Sequence, residues 1–237
     1  MDYKDYKYEF DIELCCWKNV CGIRDTARCC GACPRYCKMH YLLGNSLLPN
    51  TWWLPKTFYS SEDHIDFAAH KRCFKIKDDI LDFVKGGRQL IIYGEHTGSG
   101  KTHISVRLLL AYFSKVWELT SFRPRGMFVQ VERLFNEQRK SFDDKSDYKD
   151  FIMANYADID LIVWDDIGLD NGLDSRQKDF LFTLINEREL RNKANIFTTN
   201  KSEEELFKYL GERLYSRIVR PAEWIEFKSE DNRGLYD

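Results

Sequence analysis

One segment limits the possible folds more than any other. Leu90-Ile91-Ile92-Tyr93-Gly94-Glu95-His96-Thr97-Gly98-Ser99-Gly100-Lys101-Thr102 runs from a short apolar strand through a glycine-rich turn into a helix predicted over 101–116. Glycines let successive backbone N–H groups turn inward around phosphate oxygens, and a helix N-terminus adds partial positive charge at the same place. Lys101 sets a full charge near the β- and γ-phosphates, and the Thr102 hydroxyl suits Mg²⁺. Gly98, Ser99, Gly100, Lys101, Thr102 and His103 are therefore the expected contacts of ATP or ADP. Gly94 and Gly100 have five residues between them where four is usual. Either the loop carries one extra residue, or Glu95 takes the first-glycine place; the half that faces the phosphates is intact.

Around this loop the pattern alternates. Apolar strands are predicted over 89–93, 127–131, 159–164, 196–199 and 224–227. Helices are predicted over 75–84, 101–116, through Leu134 and Phe135, and over 175–191, 203–209 and 210–219, with a further one capped by Ser61. The fully apolar run ending in Trp164 suits a central strand buried on both faces. The expected class is α/β, a three-layer parallel sheet. Residues 1–43 read as a cysteine-rich head and 61–237 as the main domain. Gly44, Asn45, Pro49, Asn50 and Pro55 mark 44–60 as a linker, whose Trp52-Trp53 is expected to pack on the main domain.

Leu161-Ile162-Val163-Trp164-Asp165-Asp166 ends in two carboxylates. Asp165 would hold Mg²⁺ through water, and Asp166 would polarise the attacking water. Asp is one methylene shorter than the commoner Glu, so slow hydrolysis is expected. The next strand ends at Asn200, which could touch the γ-phosphate, since ligands of parallel sheets sit at the C-terminal strand ends. The other reading is a helix cap by Asn200 or Ser202. Arg213 and Arg217, four apart on one helical face, are either surface ion pairs or an arginine finger that reaches a neighbouring subunit.

Seven of the eight cysteines lie between Cys15 and Cys37. Cys16 and Cys21, with Cys29, Cys30 and Cys33, offer paired spacings for a four-thiolate zinc site. An iron–sulfur cluster and a set of free thiols are the rivals. Cys73 reads as a core thiol. The net charge of −2 excludes a global basic field for nucleic acid. Arg123-Pro124-Arg125-Gly126 reads as a solvated turn rather than a channel loop. No apolar run reaches the roughly 18–20 residues of a membrane helix, and Met1 to Phe10 is no signal peptide. A cytoplasmic protein is expected.

The order of these motifs resembles the AAA+ ATPases. More narrowly it is similar to DnaC/DnaI-type replicative helicase loaders, over about Phe83 to Gly234. The carrying residues are Tyr93-Gly94 to Thr102, Trp164-Asp165-Asp166-Ile167-Gly168, Thr198-Thr199-Asn200, and Gly211-Glu212-Arg213 to Ser216-Arg217-Ile218. The resemblance implies that Asn200 is sensor 1, that Arg217 is the arginine finger with Arg213 beside it, and that Arg233 is sensor 2-like. It also implies a zinc head that contacts a DnaB-type helicase, self-association on ATP binding, and single-stranded DNA as the template. A transposition-regulator ATPase and a non-catalytic helicase adaptor or sequestrant remain the alternatives.

Overall fold

The computed structural model describes residues 7–53 apart from 16, 20, 24, 25 and 31, then 62–143, 152, 155–168 and 172–230. Ser61, Cys16 and Arg233 lie outside the described residues, as does 144–147 of the charged loop expected at 143–147. Five parallel strands, β1 (Gln89–Tyr93), β2 (Gly126–Gln130), β3 (Leu161–Asp165), β4 (Ala194–Thr199) and β5 (Ala222–Glu226), form one sheet in the order β2-β3-β4-β1-β5. All five expected strands are present, displaced by no more than two residues at either end.

The period-two alternation of each strand divides the interior. Leu90, Ile92, Val163 and Ile196 face a core built with α1 (Pro34–Gly44), α2 (Phe67–Asp78), α3 (Ile80–Lys85) and α4 (Lys101–Val116). Ile91, Ile162, Trp164 and Phe197 face a second core built with α5 (Val131–Asp143), α6 (Ser175–Leu190) and α7 (Glu203–Ile218). The result is the expected α/β three-layer arrangement. No helix among the described residues is long and apolar enough to cross a membrane.

One helical expectation changes and another holds. The helix read over 75–84 is two, α2 and α3, broken at Asp79, which takes φ −96° and ψ 23°. The adjacent carboxylates Asp78 and Asp79 meet the negative end of α2, which favours a stop there. The two helices read over 203–209 and 210–219 are both present, labelled together as α7 and separated by Gly211, whose φ 74° and ψ 163° are not helical. On the N-terminal side, Met39, Leu42 and Leu43 of α1 join the same core as α4, and so do Leu48 and Trp53. Residues on both sides of the expected 43/44 border are thus buried in one cluster. Trp53 donates to Leu48 O (3.2 Å), Trp52 lies edge-on to Phe128, and Phe128 N donates to Ser46 O (2.7 Å). Arg123 and Pro124 are exposed, as a solvated turn requires, whereas Arg125 pairs with Asp160 at 2.9 Å and its carbonyl accepts from Leu161 N.

Arg188 of α6 is 0% exposed and joins the N-terminal ends of β3 and β4. Its guanidinium donates to Asn195 Oδ1 (2.7 Å), Tyr156 O (2.7 Å), Ile159 O (2.8 Å) and Ala194 O (2.6 Å). Burial pushes its pKa down to about 9, opposed by the Asp160 carboxylate. Arg188→Met fills much of the volume but leaves these acceptors without their donor. It should destabilise the fold by about 3–5 kcal/mol, read as a drop in the urea midpoint. An unchanged midpoint would show that the carbonyls find other donors.

Candidate functional site

The phosphate loop joins β1 to α4. Gly98 and Gly100 sit at φ 89° and 94°, left-handed conformations that turn their N–H groups into the loop. A side chain at Gly94 would lie 2.8 Å from Ser99 Oγ and 2.9 Å from Phe227 O. That close approach gives Gly94 the first-glycine place, so the loop is one residue longer than usual. The Lys101 ammonium donates to Gly94 O (2.8 Å), His96 O (2.8 Å) and Ser99 Oγ (3.0 Å), spanning the loop. Burial lowers its pKa, and the carboxylates of Asp166 and Asp165 oppose that. His103 sits in the first turn of α4, half-buried.

Asp165 closes β3 beside this loop. Its Oδ1 accepts from the Thr102 hydroxyl (2.8 Å) and from the Thr198 hydroxyl of β4 (2.8 Å). Burial raises the carboxyl above its ordinary range, and the two hydroxyls act against that shift. The donor set suits Mg²⁺: one hydroxyl oxygen and one carboxylate already converge within hydrogen-bond distance. Asp166 follows at φ 60° and donates its N–H to Thr198 Oγ (2.9 Å). This strained, left-handed turn directs an exposed carboxylate away from the buried one. Both aspartates line a cleft of about 570 Å³, together with Gln130, Arg133, Asn136 and Glu137. Thr198 entered the sequence reading only as part of Thr198-Thr199-Asn200, with no role of its own; the signal available was a hydroxyl at the penultimate position of a strand that ends at the site.

Asn200 follows β4. Its Oδ1 is buried, and nothing among the described residues donates to it. The cap of α7 is Ser202, which forms a reciprocal capping box with Glu205 (Ser202 N to Glu205 Oε2, 2.8 Å). Capping is therefore not the work of Asn200, and an acceptor is left facing the strand ends.

Arg217 lies in the last turn of α7, beyond the break at Gly211. Its carbonyl accepts from Gln89 Nε2 (2.9 Å), which fixes it at the N-terminal end of β1, opposite the loop. Its guanidinium meets Glu189 of α6 at 2.9 and 3.0 Å. Arg213 packs over the Phe182 ring (4.1 Å) and approaches Asp179 at 3.8 Å. Both arginines thus share one face, against α6.

In the head, Cys15 is the residue that spacing had passed over. Burial raises its pKa first, and the neighbouring thiols of Cys33, Cys21 and Cys29 add to the shift. Cys30 is exposed, and Cys37 is buried with Tyr8 as its hydrogen-bond partner. Among the described residues, no three cysteines converge as closely as a metal set requires. Trp17 lies edge-on to Trp117 (5.5 Å), and Lys38 donates to Glu118 O (2.8 Å), which docks the head on the end of α4.

This sheet order, loop and paired aspartates define an ATP-binding protein with an AAA+ P-loop-like domain. The family model of the IstB-like ATP binding proteins matches residues 59–234, and the chain belongs to that family. No curated protein sequence matches it significantly. Similar solved structures include the DnaC helicase loader (23% identity, TM-score 0.57, 70% of this chain and 93% of that one). DnaI is also similar (16%, TM-score 0.56, 73% and 88%), as is AMPPCP-bound DnaA from Aquifex aeolicus (19%, TM-score 0.56, 76% and 51%). At these identities the likeness is one of fold.

Proposed function

We propose that the chain is a Mg²⁺-dependent ATPase that loads a hexameric DnaB-type replicative helicase onto single-stranded DNA. The observation that supports this most is the separation of charged groups across the sheet. Lys101, Thr102, Asp165, Asp166 and Asn200 stand at one end, and Arg217 stands at the other. A complete hydrolytic set then requires the Arg217 of one subunit beside the phosphate loop of the next, so turnover is tied to assembly. Lys101 neutralises phosphate charge, and Thr102 and Asp165 hold Mg²⁺. Asp166 takes the water proton, and Asn200 Oδ1 accepts from the same water. His103, Arg213 and Arg233 are secondary nucleotide contacts. The bound metal supplies charge neutralisation at the phosphates.

In this reading the head is the helicase-binding element and carries one zinc. Cys15, Cys21, Cys29 and Cys33 are its candidate ligands among the described residues, and their thiols would have to draw closer together to close on the ion. The similarity to DnaC and DnaI supports the loader. The family description, which names IstB, keeps a transposition regulator as the second reading.

Affinity purification of the full chain with ATP should retain a DnaB-type helicase, and Cys21→Ser with Cys33→Ser should lose it while ATP binding persists. Retention of a transposase on duplex DNA instead, with no helicase, overturns the loader. Helicase binding undiminished in the double variant removes the role given to the head.

A further inference from the structure

A second group of ligating side chains lies outside the nucleotide site. His64 and Asp66 come just before α2, and His70 is in its first turn. One ligating atom from each lies within 4.8 Å of the other two. Asp66 is 1% and His70 2% exposed, so the group is closed to bulk water. We infer that His64, Asp66 and His70 bind a divalent transition-metal ion of the zinc class.

The chemistry of Asp66 is the main argument. It occupies the N-cap position of α2 but makes no cap bond. Its carboxylate oxygens accept instead from Lys228 N (2.6 Å) and Ser229 N (3.2 Å). Each oxygen keeps further acceptor capacity. Among the described residues no lysine or arginine forms an ion pair with it. A buried carboxylate without a counter-charge is unfavourable, and a bound cation removes that penalty. The two backbone donors are then the outer-shell bonds that orient a ligating carboxylate.

The histidines suit zinc rather than Mg²⁺ or Ca²⁺, which prefer oxygen ligands. His64 Nδ1 accepts from Asp66 N (3.1 Å), so that nitrogen carries a lone pair and can exchange the hydrogen bond for a metal bond. The His70 ring stands edge-on to Phe227 at 5.0 Å and faces His103 and Arg107 of α4. Tetrahedral zinc with bonds of about 2.0–2.1 Å needs ligand atoms about 3.4 Å apart, a contraction that side-chain rotation supplies. The metal would tie the start of the ATP-binding region to the segment after β5. That segment pairs with the end of β1 that leads into the phosphate loop, where Phe227 N donates to Tyr93 O at 2.7 Å.

The test uses the full chain, stripped by chelator and titrated with Co²⁺ alone. Thiolate sites in the head announce themselves by sulfur-to-metal charge transfer. The His64–Asp66–His70 site should add a second component without it. His64→Gln and His70→Gln should each weaken that component by about 10–100-fold and leave the sulfur component unchanged. His64 is only half-buried, so His64→Gln decides the matter if His70→Gln does not fold. A wild-type titration lacking the sulfur-free component, or one unchanged in folded His64→Gln, overturns the site. Neither nucleotide nor helicase enters the measurement, so the result stands apart from the loader reading.

Discussion

Lys101→Ala should weaken ATP binding by about 10–100-fold and abolish hydrolysis. The range follows from losing charge-assisted hydrogen bonds of about 1.5–3 kcal/mol to phosphate oxygens. The ammonium donates to Gly94 O, His96 O and Ser99 Oγ. Binding must exchange some of these bonds for phosphate contacts, which keeps the net gain well below the gross Coulomb energy. The same variant frees three loop acceptors, so its melting temperature should be measured alongside calorimetric ATP titration. Asp165→Asn should differ. The nucleotide contacts of the loop remain, so affinity without Mg²⁺ should be unchanged, and the Mg²⁺-dependent gain should vanish. Undiminished ATP affinity in folded Lys101→Ala would remove the phosphate loop from the site altogether.

The sheet and the loop were legible because their signals are local. Each strand carries its own alternation or apolar run, and Gly98 to Thr102 is contiguous. The reading failed where the deciding partner is distant in sequence. Asp66 owes its place to Lys228 and Ser229, 162 and 163 residues away, and no spacing within 64–70 announces that. Arg188 sits on a helix whose apolar face, Phe180, Leu181, Leu184 and Ile185, was read correctly and is buried. Its own burial depends on carbonyls from segments before β3 and at the start of β4. The spacing favoured Cys16 over Cys15, and the neighbourhood of Cys15 with Cys21, Cys29 and Cys33 is set by a chain path that spacing does not encode. Asn200 was open between cap and site until Ser202 was seen to make the capping box.

Arg217→Ala should leave ATP affinity of the isolated chain unchanged and lower hydrolysis by the assembled protein about 10³-fold or more. Arg217 cannot serve its own loop, because Gln89 holds it at the opposite end of β1. In the single chain it is held by Glu189, with the two side chains 40% and 42% exposed. A pair so exposed contributes only about 0.2–1 kcal/mol, so a neighbouring triphosphate can take the guanidinium from it. Glu189→Gln should therefore leave turnover intact or raise it slightly. The decisive measurement mixes two dead proteins. Arg217→Ala subunits keep a working phosphate loop, and Lys101→Ala subunits keep a working arginine. Together they should recover hydrolysis at the interfaces where the intact loop of one meets the intact arginine of the other. Recovery requires that the two groups act from different chains. If the mixture stays inactive although the variants co-assemble, or if Arg217→Ala alone loses ATP affinity, the site is not shared between subunits. The charge separation across the sheet would then be structural.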